Sequence, residues 1–391
     1  MTGMTTRAER SGTWVRWAAW GFWLVLFLGI FLDVVRAPLK RTTMPTYRLA
    51  STQWWQGIDP YTNNAHAGFL YFPQAAVIFT PFNVLPFMAG EFLWRAATFG
   101  LFFYALVRLK RFFLPDRGTV FDARFLVLSL LAVPSSLASL RNAQFDLPLA
   151  ALIVLTTAEI AGQRWTAAAV WLSLAVALKP LAVVPMLLFG ALYWRLIPRL
   201  VVGLAVVVAI PFLHWSPAFA AHEYGRCLTT LVWASKGDEP RYSDLAALLS
   251  HLGYDAPPMV KTVVRVVFAG IYLGLGAMGA WRMKAREAAW LIGALSADYL
   301  MLFNPRTETC SYVFLGPFIA SLALFYAGQN GSRWLGRGLG FAALGLACDA
   351  IPVVHGMTDR WFKPLLALLF LPTLIWFILG SGATEKKSAD V

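Results

Sequence analysis

The chain has 391 residues, 59% of them hydrophobic and only 14% charged, with a mean hydropathy of +0.61 and a formal net charge of +13. A soluble chain of this length carries about 98 charged residues, whereas this one has 33 Lys and Arg and 20 Asp and Glu. Its apolar runs are long enough to cross a bilayer, which makes it a multi-spanning membrane protein and excludes a cytosolic nucleotide-binding domain, a nucleic-acid binder and a secreted disulfide scaffold.

In chain order, apolar segments predict spans over 14–35, 91–109, 123–140, 145–161, 165–178, 181–194, 200–213, 262–281, 287–303, 310–326, 338–354 and 363–380. The first has a basic flank but no small-residue cleavage site behind it, so it reads as a retained span and not a cleaved signal. The fold class is an all-α polytopic membrane protein, one integral domain over 1–391 with about 12 transmembrane helices (11–13). Residues 36–90 form a long first outer loop, 214–261 a second, and 381–391 a cytoplasmic tail.

Lys and Arg set the orientation. Eighteen of the 33 fall in segments predicted to be cytoplasmic, among them Arg108, Lys110, Arg111, Arg164, Arg195, Arg199, Arg282, Lys284, Arg286, Arg333 and Arg337. Basic residues close to helix ends hold loops on the inside. Both termini are therefore expected in the cytoplasm, in a cell (inner) membrane, with the polar chemistry facing the periplasm.

Two places control the parity. Tyr71–Pro86 is apolar but contains Pro73, Pro81 and Pro86. A helix of that length reaches about 24 Å against roughly 30 Å of hydrocarbon, and its prolines cost hydrogen bonds that lipid cannot replace. It reads as an outer or re-entrant element. Trp165–Trp194 is interrupted by Lys179-Pro180, and the residue before proline is driven out of the helical region. Two short arms then place Lys179 at the outer tip.

Ionisable residues at a membrane boundary are costly and are the first functional candidates. Asp33 ends the first span, and Asp59 and Tyr61 follow the aromatic segment Tyr47–Gln56. Arg141, Asn142, Gln144 and Asp146 form one outer turn. His222, Glu223, Tyr224 and Arg226 lie in the second loop; Asn304, Arg306, Glu308 and Tyr312 form another turn; His355, Asp359 and Arg360 close the last. Each has a structural alternative: Asp33 as a helix end, Asp59 as a turn starter before Pro60, Lys179 snorkelling, Arg306 and Glu308 as a mutual ion pair. The five histidines show no metal-ligand spacing, and Cys227, Cys310 and Cys348 cannot all pair.

Carboxylates and cations on an outer face beside lipid suit a donor whose polyprenyl tail stays in the bilayer while its sugar projects outward. A carboxylate takes the acceptor proton as general base, and cations stabilise the charge growing on the leaving phosphate. No metal is needed when that group is a monophosphate held by Arg and Lys.

The chain resembles the polytopic C-type glycosyltransferases of family 87, which include polyprenol-phosphate-mannose-dependent mannosyltransferases. The resemblance rests on Gly57-Ile58-Asp59-Pro60-Tyr61, Tyr71-Phe72-Pro73, Pro81-Phe82 with Leu85-Pro86, Asn142-Ala143-Gln144, Lys179-Pro180, and Asn304-Pro305 with Tyr312, in order along most of the chain. It implies a C-type helical bundle, a polyprenyl-phosphate sugar donor, a glycan or glycolipid acceptor, a periplasmic-face site and an aspartate base in the first outer loop. Many members carry that aspartate ahead of a tyrosine comparable to Tyr47. This chain reads Thr42-Thr43-Met44-Pro45-Thr46 there, so the base falls to Asp59, Asp33 or Glu308, with Asp59 preferred. Lys179, Arg306, Arg141, Gln144, Tyr61 and Asn304 are the candidates for holding the donor. The rival readings are a flippase or transporter of a lipid-linked or phosphorylated saccharide, and a surface-glycan polymerase or ligase. Related halves with matching broken helices would favour a transporter, but Lys179-Pro180 has no counterpart in the second half.

Overall fold

The computed structural model describes residues 2–62, 68–114, 120–235, 242–329, 332–348, 352–358 and 360–389, with side chains described between 13 and 380 except at 235, 352 and 355. Asp359 and the side chain of His355 thus lie outside the described residues. So do Arg117 and the side chains of Arg7, Arg10, Lys386 and Lys387 from the cytoplasmic set.

Among the described residues every regular element is helical: α1 (Thr2–Arg36), α2 (Met44–Gln56), α3 (Pro73–Ile78), α4 (Thr80–Asn83), α5 (Phe87–Phe113), α6 (Ala123–Ala132), α7 (Leu137–Arg141), α8 (Asp146–Ala161), α9 (Trp165–Leu178), α10 (Val183–Leu192), α11 (Ile197–Ala209), α12 (Pro217–Ser235), α13 (Leu245–His251), α14 (Pro258–Arg282), α15 (Ala285–Phe303), α16 (Gly316–Ala327), α17 (Arg333–Gly345), α18 (Pro352–Thr358) and α19 (Phe362–Ala389). Short 3-10 turns link several of them.

Local chemistry explains most of the boundaries. Pro45 opens α2, and Gly57, at φ 69, closes it in the left-handed conformation with its N–H returning to Gln53 and Trp54, where glycine carries no Cβ penalty. Asp122 caps α6 by accepting the Phe125 N–H at 2.9 Å. Tyr71–Pro86 folds as the short α3 and α4, broken by its prolines as expected. Lys179 is extended (φ −150, ψ 132) ahead of Pro180, which separates α9 from α10 as the hairpin reading requires.

Two elements depart from expectation. The span predicted over 338–354 ends as α17 at Gly345, and α18 starts afresh at Pro352, because proline cannot continue a helix but suits its first turn. Helix length and apolarity among the described residues do not by themselves supply twelve crossings. Among the described residues seven helical stretches are long and apolar enough to cross a membrane: Thr13–Arg36, Phe87–Phe113, Ala123–Arg141, Trp194–Leu213, Pro258–Arg282, Thr309–Ala327 and Phe362–Gly380. The other five predicted spans do contain helix, but α8, α9, α10 and α17 are too short to cross on their own, and α15, at 19 residues, carries Arg286, Glu287 and Asp298.

The centre of the bundle is α8, all 16 residues of which are buried. It packs against α5, α9 and α15. Gly293 of α15 makes room for the Thr157 side chain of α8, since a Cβ there would sit 2.5 Å from Thr157 Oγ1. Segment Thr309–Ala327 is 83% buried over its apolar window, whereas Thr13–Arg36 and Pro258–Arg282 are only 17% buried. Those outer helices present Leu24, Val25, Val263 and Val266 outward, as a lipid-facing ring does and a soluble surface does not.

The charge reading of sidedness makes a direct prediction. In a Cys348→Ser background (Cys227 and Cys310 are buried), Asp255→Cys is labelled by a membrane-impermeant thiol reagent in intact cells and Ser332→Cys is not. Labelling of Ser332→Cys alone would invert the orientation.

Candidate active site

The polar side chains singled out along the chain gather in three neighbouring groups around the N-terminal end of α8. The first is built on the turn Arg141–Gln144. Ala143 sits at φ 58, in the left-handed region, and the turn is held by three residues, one before α2 and two on α5. The Thr43 N–H and hydroxyl each donate to the Asn142 carbonyl at 2.9 Å. Trp94 Nε1 donates to the Ala143 carbonyl at 2.9 Å, and Arg95 donates to the Arg141 carbonyl at 2.8 Å. This fixes Gln144, whose Nε2 donates to Glu308 Oε2 at 3.0 Å.

Asp146, on the first turn of α8 and 1% exposed, accepts from Lys179 Nζ and from Ser311 Oγ, the latter at 2.8 Å. A carboxylate there also meets the positive end of the helix dipole. Burial opposes the Lys179 charge, but Asp146 outweighs it, and with help from Glu308 the ammonium stays protonated above its ordinary range. Glu308 accepts from Gln144 and, at 3.4 Å, from Cys310 Sγ, and forms no ion pair among the described residues. Beside this group the hydroxyls of Tyr47 and Tyr71 meet at 3.1 Å, with both rings packed on Phe145.

The second group holds Asp59. Its Oδ1 accepts the Tyr61 N–H at 2.7 Å, an Asx turn, and its Oδ2 accepts Arg226 Nε at 2.8 Å. The Tyr61 hydroxyl donates to the Tyr71 carbonyl at 2.8 Å, tying this turn to the first group. Burial pushes the neighbouring Glu223 carboxyl up; its contact with His222 opposes the shift and Asp59 adds to it.

The third group joins Asp33 to Arg141, whose Nη2 also reaches the Ala37 carbonyl at 3.3 Å. Behind it lies the buried pair Glu91–Arg95, with Thr42 Oγ1 donating to Glu91 Oε1 at 3.0 Å. Sequence reasoning missed Glu91 and Arg95. The available signal was an acid and a base four residues apart inside an apolar helix, where each is too costly to leave alone.

The remaining candidates lie at the edge of these groups. The Arg306 guanidinium stands 5.5 Å from the ring centres of both Trp233 and Tyr242. Asn304 Nδ2 donates to Thr307 Oγ1 at 3.3 Å and so builds its own turn. Among the described residues no group of three His, Cys, Asp or Glu side chains is placed to hold a metal.

A bundle of apolar helices with cations, amides and carboxylates gathered at one end defines an integral membrane protein with a polar site at helix ends. The profile of glycosyltransferase family 87 matches residues 69–305, more than half of the chain, and the chain belongs to that family: it is a membrane glycosyltransferase. Among solved structures, the crystal structure of ArnT from Cupriavidus metallidurans in the apo state is similar at a TM-score of 0.42 and 15% identity, over 93% of this chain and 76% of that one. No curated protein matches the sequence.

Proposed function

We propose that this glycosyltransferase works with inversion, moving a hexose such as mannose from a polyprenyl-phosphate donor to a glycan or glycolipid acceptor. The reaction takes place at the periplasmic face of the inner membrane. The observation that carries this reading is the set Gln144, Asp146, Lys179 and Glu308, drawn from three separate stretches of chain to one end of a fully buried helix.

In the proposed reaction an acceptor hydroxyl oxygen attacks the anomeric carbon from the face opposite the phosphate. The bond from that carbon to the phosphate oxygen breaks, the polyprenyl phosphate departs with the electron pair, and the acceptor proton passes to a carboxylate. Lys179 meets the charge growing on the phosphate, as preorganised cations do in transfer sites, and Asp146 holds its ammonium in place. Glu308 is the base the geometry favours. A carboxylate already joined to a guanidinium must give up that partner to take a proton; Asp59 is joined to Arg226 and Asp33 to Arg141. Gln144 aims Glu308. Arg306, held against the Trp233 and Tyr242 rings, is assigned to the donor, with Asn304 shaping its turn. Tyr61 and Arg141 position the first outer loop.

Two measurements test this. Purified protein in nanodiscs converts polyprenyl-phosphate mannose to polyprenyl phosphate and mannosylated acceptor, with the opposite anomeric configuration in the product. Transfer from a nucleotide sugar alone would refute the donor assignment. Asp59→Asn keeps the turn-forming side chain and retains turnover within about tenfold of the unaltered protein, because the loss of a general base costs about 10²–10⁴-fold. A loss in that larger range would return the base to Asp59.

A further inference from the structure

At the opposite end of α8 the chain builds a second polar cavity that the transfer reaction does not use. It lies between the C-terminal turns of α5 and α8, the α8–α9 turn and the start of α15, and its volume is about 370 Å³. At about 30 Å³ per water molecule, that leaves room for a phosphate group and its ester arm. Four guanidiniums line it, those of Arg108, Arg111, Arg164 and Arg286, together with Tyr104. Sixteen helical residues rise about 24 Å, so the cavity is well separated from Lys179.

The site is organised by one buried carboxylate. Glu159, with its side chain 4% exposed, pairs with Arg108 at 2.7 Å and also with Arg164. The Tyr104 hydroxyl accepts from Arg108 at 3.0 Å. Two guanidiniums are thereby fixed in orientation, each with N–H groups to spare. Arg111 and Arg286 are exposed and form no ion pair among the described residues. The ratio is four cations to one carboxylate. Orientation in the membrane needs only basic residues near helix ends; it does not need them to converge on one cavity around a buried acid. Arginine is also the side chain suited to planar, two-pronged recognition of phosphate.

We propose that this cavity is a phosphate-binding site, separate from the transferase site, that takes either the headgroup of an anionic phospholipid from the adjacent leaflet or a free phosphate compound. Basic pockets between membrane helices on the cytoplasmic side are suited to anionic headgroups.

Native mass spectrometry and thermal-shift measurements on the full chain distinguish the two sources. One arm compares nanodiscs of phosphatidylcholine with nanodiscs containing cardiolipin. The other adds inorganic phosphate or pyrophosphate to the protein in phosphatidylcholine alone. The unaltered protein retains cardiolipin, or is stabilised by the soluble anion. In the double variant Arg111→Gln/Arg286→Gln the effective arm weakens by about 30-fold, the worth of two near-surface basic residues. Arg111→Lys/Arg286→Lys keeps the charge but not the two-pronged contact, and recovers only part of the binding lost in the double-Gln variant. A response in the first arm identifies a lipid and in the second a soluble phosphate. Equal binding by the unaltered and double-Gln proteins, or no preference for either anion over phosphatidylcholine, overturns the proposal.

Discussion

Glu308→Gln lowers sugar transfer by about 10²–10⁴-fold, the usual cost of losing a positioned general base, or about 3–5 kcal/mol at 1.36 kcal/mol per decade. The substitution keeps the size of the side chain and an oxygen that still accepts from Gln144. Among the described residues Glu308 forms no ion pair whose loss would disturb the fold, and Lys179 keeps Asp146 as its partner. Donor binding and the yield of folded protein therefore stay near those of the unaltered chain, and the loss falls on turnover and not on KM. Single-turnover transfer from a defined polyprenyl-phosphate sugar, alongside donor binding on the same preparation, reads both quantities. A variant that binds donor poorly but turns over normally when saturated would make Glu308 a binding residue and leave the proton without its acceptor.

Lys179→Met has a double consequence. It removes the cation assigned to the phosphate, and it leaves Asp146 buried beside Ser311 with its ammonium partner gone. Removing one member of a buried pair costs about 3–5 kcal/mol because the remaining charge is uncompensated, so the variant unfolds at lower temperature in detergent. The double variant Lys179→Met/Asp146→Asn separates the two effects. A neutral amide still accepts from Ser311 and leaves no stranded charge, so most of the lost stability returns while donor binding and transfer do not. Recovery of transfer in the double variant would show that Lys179 serves only to neutralise Asp146.

The helices were legible because hydropathy and proline are local signals. Every predicted span contains helix, the break at Lys179-Pro180 follows from backbone sterics, and the prolines of 71–86 divide that stretch into two short helices. The crossing count was less legible: a run such as 145–161 reads as a span from its apolar content, yet its 16-residue helix is enclosed by protein over its whole length. The polar segment 214–261 hid helices α12 and α13 for the opposite reason, since its charged residues mask an apolar face that carries the buried Ala220 and Cys227.

The site was legible as a list of residues but not as a set of partners. Sequence places Lys179, Gln144, Asp146 and Glu308 at outer helix ends, where cost alone marks them out. It does not say that Gln144 meets Glu308, 164 positions away, or that Lys179 meets Asp146 instead of standing free. Pairings of this kind depend on which helix ends are neighbours in the bundle. Asp59 illustrates the difference: its loop position and aromatic surroundings recommend it as a base, and nothing in the sequence says that it meets Arg226, 167 positions away, as well as the Tyr61 N–H.

The most direct measurement is a structure of the protein in a nanodisc with a non-transferable polyprenyl-phosphonate sugar bound. The phosphonate is expected within hydrogen-bond reach of Lys179 Nζ, the polyprenyl chain leaving between helices toward lipid, and Glu308 facing the side of the anomeric carbon opposite the phosphonate. A phosphonate seated instead on Arg226 beside Asp59, with Glu308 remote from the sugar, would contradict it.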